Sequence, residues 1–334
     1  MLQNHAFVSI LFFIFSVLLS FYFPSESCVQ AMDSYEQNEA IEAGEKNPLS
    51  ALDFPQEKIS AAVLNTARWL DSIFGDERYF EEENKSYLRL RLSGFWEKDE
   101  NFDLNMATKI KLSLPETENR LHLIIGGDLD DEEDTRNVHS EHISKQLEKS
   151  NEENVFLGLQ YTLLKTIKRN IKSGAGMRFR NGVPIFHVMT RYRYLKKLGL
   201  WQFRATERVR YFTRDGWESK TSFDLERPFS DKFFYRTTMD GLWFEDEHGF
   251  FYNIIFSLFQ PIDNQRSLVY DWINAFETYP EHKLKEVVLR ARFRQRIYKK
   301  WLFLEIAPQI RCPGDSDYEV NPGFTVMLES FFRE

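Results

Sequence analysis

The chain has 334 residues, enough for one large domain or two, and a formal net charge of −8. This acidic balance gives no electrostatic support for a general role in nucleic-acid binding. Aromatic residues make up 16% of the sequence and include 31 phenylalanines, which favours an all-β protein rich in aromatic strand formers.

The first 31 residues have the pattern of a secretory signal peptide. Residues 7–23 form an apolar run that is short for a membrane span, and Val29, Gln30 and Ala31 fit a small-residue cleavage site. Cys28 leaves a lipidated amino terminus as the alternative. After cleavage, the chain would retain only Cys312. We therefore expect no disulfide framework, no zinc site and no cofactor.

Residues 32–85 are predicted to link this leader to the main domain. Up to residue 54 the sequence is polar, acidic and without periodicity, which is typical of a flexible linker. Residues 59–74 then carry apolar side chains at helical spacing, with Pro55 before them and Gly75 after them: Ala62, Val63, Ala67, Leu70 and Ile73. This short amphipathic helix would either pack at one mouth of the domain or act as a periplasmic plug or partner-docking helix.

From residue 86 the hydrophobic period changes to two, the period of a strand with one polar and one apolar face. We count about fourteen such segments, with twelve as the other possible number, each ~9–11 residues long and so able to cross a bilayer as a tilted strand. Short turns such as Asn181-Gly182 join most of them, which predicts an antiparallel meander. The exception is the acidic stretch 128–154, interpreted as a solvated loop, a lumenal constriction or a divalent-cation site.

Residues 287–311 show the alternation most clearly, because four arginines occupy every second position of one strand: Arg290, Arg292, Arg294 and Arg296. Leu289, Ala291, Phe293 and Ile297 lie between them. An unpaired charge in a dry core is very costly, so the arginine face needs water or ion-pair partners. The opposite face must meet protein or lipid. Glu207 breaks the pattern by falling on an apolar face, where it requires a bulge, an edge position or a pairing.

This architecture resembles that of bacterial outer-membrane β-barrel proteins over residues 86–332, together with the signal peptide. The last strand, with Phe324, Val326 and Leu328 leading to Phe332, is similar to the family's assembly signal, although Arg333 and Glu334 follow the aromatic. The resemblance implies an antiparallel up-and-down transmembrane β-barrel at residues 86–334. It would be secreted to the periplasm, inserted by the barrel-assembly machinery through the strand ending at Phe332, and surrounded by outer-membrane lipid.

The same resemblance implies an even number of strands with both termini in the periplasm. The 128–154 loop would then lie outside the cell, and the Lys196-Lys197 and Lys299-Lys300 turns would lie in the periplasm. The sequence specifies no oligomeric state.

Three functions remain open. The first is a pore that passes small anionic solutes, because basic rings select anions. Its lumen-lining residues would be Arg178, Arg180, Arg191, Arg193, Arg204, Arg208, Arg210, Arg290, Arg292, Arg294 and Arg296. The second is a non-conducting structural or assembly barrel, in which acidic residues pair with these arginines to fill the interior. The third is a lipid-acting barrel enzyme, which is disfavoured because neither His122 nor His187 has a nearby serine that it could activate.

Overall fold

The computed structural model describes residues 86–98, 102–114, 117, 120–126, 156–166, 168–180, 182–230 and 233–333. These residues lie in the compact unit Pro55–Glu334. They form a closed barrel of fourteen antiparallel strands. In chain order the strands are β1 (Tyr87–Glu97), β2 (Asp103–Leu114), β3 (Leu121–Ile125), β4 (Phe156–Lys165), β5 (Arg169–Arg180), β6 (Val183–Leu198), β7 (Trp201–Phe212), β8 (Gly216–Ser230), β9 (Phe233–Phe244), β10 (Phe251–Pro261), β11 (Arg266–Glu277), β12 (Lys283–Tyr298), β13 (Leu302–Pro313) and β14 (Asn321–Arg333).

Each strand pairs with its neighbours in sequence, and β14 closes the barrel by pairing along the whole of β1, from Tyr87 opposite Arg333 to Glu97 opposite Gly323. The predicted up-and-down barrel and its fourteen strands are therefore confirmed. An even strand number brings the start of β1 and the end of β14 to the same rim, which we call the terminal rim. We call the opposite one the loop rim.

The two rims differ in the length of their connections. Short connections such as 199–200, 231–232 and 299–301 join strands at the terminal rim. The longest connection, 126–155, joins β3 to β4 at the loop rim. The acidic stretch and the two lysine pairs thus attach at opposite rims, as expected. Lys299 and Lys300 lie in a turn, whereas Lys196 and Lys197 belong to the end of β6 and the turn follows at 199–200. Outer-membrane barrels show the same contrast between short periplasmic turns and longer extracellular loops.

Burial alternates along the strands because successive side chains of a pleated strand point to opposite faces of the sheet. In β6, Ile185, His187 and Met189 are buried, whereas Phe186 and Val188 between them are more than half exposed. The buried set faces the interior and the exposed set faces outward. In most strands the inward set is polar or charged and the outward set is apolar, which is the reverse of a soluble barrel.

Several expectations fall outside the described residues: the signal peptide, the 59–74 helix and the 128–154 loop. Within the described residues the helical structure is a short 3-10 turn at Gly314–Ser316. No helix in this part of the chain is long and apolar enough to cross a membrane.

Candidate functional site: the barrel interior

Three arginines of β12 face the interior and are held by carboxylates of neighbouring strands. Arg292 Nε donates to Asp271 Oδ2 at 2.8 Å, and Arg290 Nη2 donates to the same oxygen at 3.1 Å. Ser257 Oγ donates to the other oxygen of Asp271 at 2.8 Å. Arg294 Nη1 donates to Glu305 Oε2 at 3.2 Å. This part of the interior is therefore built from buried ion pairs.

Glu329 on β14 contacts three arginines, two from β1 and one from β12. The pairing of β1 with β14, which closes the barrel, is called the seam. The carboxylate of Glu329 lies 3.5 Å from Arg89 Nε, 3.4 Å from Arg91 Nε and 3.2 Å from Arg294 Nη2. Glu329 is fully buried. Arg91 and Glu329 are also direct cross-strand partners in the pairing of β1 with β14. The seam is thus closed by backbone hydrogen bonds and by a shared carboxylate.

A second group of ion pairs connects β7, β8 and β9. Glu218 Oε1 accepts from Arg208 Nη2 at 3.0 Å and from Arg210 Nη2 at 2.6 Å. Glu226 Oε1 accepts from Arg236 Nε at 2.7 Å. Arg208 and Arg210 were predicted as pore-lining residues. The structure brings them together with a carboxylate from the next strand.

The sector formed by β5, β6 and β7 differs because its inward charged residues are all basic. In the strand register Lys172 lies opposite Arg191, Arg191 opposite Arg208, and Arg208 opposite Lys220 on β8. We call these four residues the basic row. Lys172 and Arg191 are completely buried. Like charges at directly opposed positions of a sheet destabilise it, so the row favours negative charge nearby, part of which Glu218 supplies to Arg208 at 3.0 Å.

Arg193 and Arg204 extend this basic sector, and both are buried on the inward face. Arg178 lies near the loop rim, where it pairs with Asp215 and stacks 4.2 Å from the ring centre of Phe212. The backbone of Arg180 ends β5, but its side chain lies outside the described set. The predicted arginines lie on two parts of the wall: the basic sector of β5, β6 and β7, and a paired sector in which β12 meets its carboxylate partners on β11, β13 and β14. Within the basic sector, Arg178 also contacts Asp215, and Arg208 and Arg210 contact Glu218 of β8.

Arg296 lies at the terminal rim and is bound to a turn. It donates from its backbone to the carbonyl of Gln265 and from Nη2 to the carbonyl of Asn264. In the same turn, Arg266 hydrogen-bonds the carboxylate of Asp263, and this holds the pKa of Asp263 below its usual range. Arg296 therefore orders a connection at the rim.

Sequence reasoning missed an apolar part of the interior. Ile255, Ile273 and Val288 form an inward cluster across β10, β11 and β12, and the three are 5%, 1% and 1% exposed. Val269 and Phe259 are also buried inward. The signal was weak because β10 and β11 carry apolar residues on both faces, so alternation there distinguishes lumen from exterior poorly. The burial of these residues contrasts with the polar lumen that we predicted.

Both histidines of the enzyme hypothesis are inward and buried. His187 packs between Phe156 and Phe212, with ring centres 5.8 and 5.3 Å away. The structure therefore gives His187 a packing role beside the basic sector. Among the described residues, no group of three or more His, Cys, Asp or Glu side chains is arranged to hold a metal ion.

The exterior is apolar in its middle and aromatic near both rims. Large hydrophobic side chains such as Leu159, Val188 and Leu289 are about half exposed. Near the loop rim, Trp96 contacts Phe324 with ring centres 5.7 Å apart. Near the terminal rim, Trp301 stacks on Phe332 at 4.8 Å. An apolar band between two aromatic girdles is the arrangement of a membrane-spanning barrel.

Glu207 lies on this exterior, and the structure decides among the three explanations left open by the sequence. Ser219 Oγ and Thr221 Oγ1 on β8 donate to its two carboxylate oxygens, both at 2.6 Å. The pairing of β7 with β6 and β8 runs in regular register through Glu207. Glu207 is therefore accommodated by hydrogen bonding.

The fold and the site together define a barrel whose faces are reversed relative to a soluble barrel, because charged residues are enclosed and apolar residues face outward.

Solved outer-membrane barrels are among the structures similar to this chain. The loop-deleted OmpT of Vibrio cholerae has a TM-score of 0.45 and 8% identity, covering 74% of this chain and 98% of that one. The DcaP channel of Acinetobacter baumannii has a TM-score of 0.42 and 8% identity, covering 74% and 96%.

The KdgM porin, solved in complex with disordered oligogalacturonate, has a TM-score of 0.36 and 5% identity, covering 72% of this chain and 98% of the porin. No family model matches the sequence, and no curated protein matches it. Identities of this size carry no information about a shared solute.

Proposed function

We propose that this chain is an outer-membrane β-barrel whose basic sector carries small anionic solutes across the membrane. It would reach the outer membrane through its signal peptide and the barrel-assembly machinery, which would bind the strand ending at Phe332. Support for the membrane location comes from the exposed apolar band and the enclosed charges, because a soluble barrel would turn these faces the other way.

The observation that carries the anion proposal is the basic row of Lys172, Arg191, Arg208 and Lys220. The strands β5, β6 and β7 contribute no inward carboxylate, since their one acidic residue, Glu207, faces outward. Glu218 of β8 contacts Arg208 and Arg210, and the basic residues of these three strands outnumber it. A local excess of positive charge inside low-dielectric walls concentrates anions. The proposed path therefore runs along this sector. The arginines of β12 act mainly as ion-pair partners.

Because the proposed anion path follows β5, β6 and β7, a test of conduction should mutate residues of these strands and not the arginines of β12. Reversing the charge of Arg292 or Arg294 would break buried pairs with Asp271, Glu305 and Glu329, so misfolding would be confused with altered selectivity. Lys172 and Arg191 are the better targets. We expect the Lys172→Gln/Arg191→Gln double variant to shift the reversal potential in a salt gradient toward cations.

The experiment compares purified wild-type protein, this double variant and Arg292→Gln in planar bilayers. Heat-modifiable gel migration verifies that each protein is folded. Arg292→Gln is the control because it also removes an inward positive charge, but from β12, away from the basic row. Anion preference that is lost in the double variant and mostly retained in the control supports the proposal. Unchanged selectivity in the double variant refutes it.

A second candidate is a non-conducting structural barrel, favoured by the burial of the interior charges. Arg294 is 1% exposed, and Glu329, Lys172 and Arg191 are each 0% exposed, so the basic row is covered as completely as the paired charges. Absence of current from folded wild-type protein would support this candidate and exclude the pore.

A further inference from the structure

We propose that residues 55–85 of this chain dock inside the barrel, with the apolar face of the helix that the sequence predicts at 59–74 against the cluster formed by Ile255, Ile273 and Val288. The inference does not depend on conduction, because it concerns what lies against the apolar inner wall. Its test is likewise independent of any current.

The first argument is the chemistry of this inner wall. Inward positions of a membrane barrel normally contact water or other polar side chains, so an aliphatic cluster there requires an apolar partner. Ile273 and Val288 are each 1% exposed. Eight strands enclose an interior just wide enough for side chains to fill, and fourteen enclose a wider one. The short aliphatic side chains on β10, β11 and β12 are therefore too short to contact the opposite wall of the barrel, so another part of the protein must cover them.

The second argument is the match between this wall and the segment that precedes β1. Residues 59–74 place Val63, Ala67, Leu70 and Ile73 on one helical face. Acidic residues outnumber basic ones between 55 and 85, and three consecutive glutamates occupy 81–83. The apolar face matches the cluster, and the acidic charge is complementary to the basic sector on β5, β6 and β7.

The third argument is reach. The segment joins β1 at the terminal rim. Ile273 lies seven residues into β11 from that rim, about 18 Å along the barrel axis for a tilted strand. Residues 75–86 can span up to about 40 Å when extended. A helix of residues 59–74 would be about 24 Å long. The segment can therefore fold back through the terminal rim and place its helix beside the cluster.

The test is disulfide trapping in membranes from cells that produce the full chain, with Cys28 and Cys312 replaced by serine. A cysteine at Val63, Ala67 or Leu70 is combined with Ile273→Cys, which faces inward. The matched control is Trp272→Cys, the adjacent residue on the outward face. Val288→Cys and its outward neighbour Leu289→Cys form a second pair, in case one position impairs folding.

We expect at least one helix position to form a disulfide with each inward cysteine and none to form one with the outward neighbours. The folded state of every variant is verified by heat-modifiable migration. Failure to trap any helix position with either inward cysteine in folded protein would overturn the proposal. Equal trapping at inward and outward cysteines would overturn it too, because it would report random collision. If trapping succeeds while wild-type protein passes no current, the docking stands and the anion path fails.

Discussion

Glu329→Gln should destabilise the barrel more than any other single neutralisation in the paired sector. The substitution preserves the size of the side chain and removes the charge shared by Arg89, Arg91 and Arg294. Removing one partner of a buried ion pair generally costs 3–5 kcal/mol. Arg294 keeps its 3.2 Å contact with Glu305, so we expect the lower end, about 3 kcal/mol.

The assay is equilibrium unfolding in urea of protein folded into lipid vesicles, followed by tryptophan fluorescence. Glu305→Gln is the control, because Arg294 then keeps Glu329 and the loss is about 1.5 kcal/mol, that of one charged hydrogen bond. If Glu329→Gln costs no more than Glu305→Gln, the shared carboxylate does not stabilise the seam and our reasoning about it is wrong.

Two further predictions use the same unfolding assay. Leu289→Arg places a charge on the lipid-facing surface and should cost about 2–4 kcal/mol. Arg292→Gln should cost about 1.5 kcal/mol because Asp271 keeps Arg290 and Ser257; equal losses for the two variants would contradict the assignment of faces. On the exterior, replacing Ser219 by Ala and Thr221 by Val removes both donors to Glu207 and should cost about 1–3 kcal/mol. Adding Glu207→Leu should recover most of that loss, because no carboxylate is then left without donors. If stability is not recovered, the two hydroxyls stabilise the barrel by some interaction other than their hydrogen bonds to Glu207.

The sequence was sufficient to predict the barrel and the faces of most strands. A strand's faces depend only on odd and even positions, so Leu289 could be assigned outward and Arg292 inward without knowing any partner. The strand count followed from the same periodicity together with short turns. These properties are local, which is why a single sequence is enough to specify them.

Which carboxylate pairs with which arginine depends on the register between neighbouring strands and on how the barrel closes. These pairs therefore could not be predicted from the alternation within a single strand. Glu329 was a candidate partner for many arginines, and only the β1–β14, β13–β14 and β12–β13 pairings together bring Arg89, Arg91 and Arg294 to it. The division of the arginines into two sectors was missed for the same reason. The apolar cluster around Ile273 was missed because β11 carries apolar residues on both of its faces.

The pairing of β1 with β14 has a consequence for biogenesis. The first and last strands lie at opposite ends of the barrel sequence, so the cylinder cannot close until nearly the whole polypeptide has been synthesised. Until then two strand edges stay open to pairing with other chains. A slip of one residue in the pairing of β14 with β1 would move Glu329 to the outward face and separate it from Arg91. In the membrane barrel proposed above, that misregistered closure would place a carboxylate against lipid, and its cost would favour the correct register.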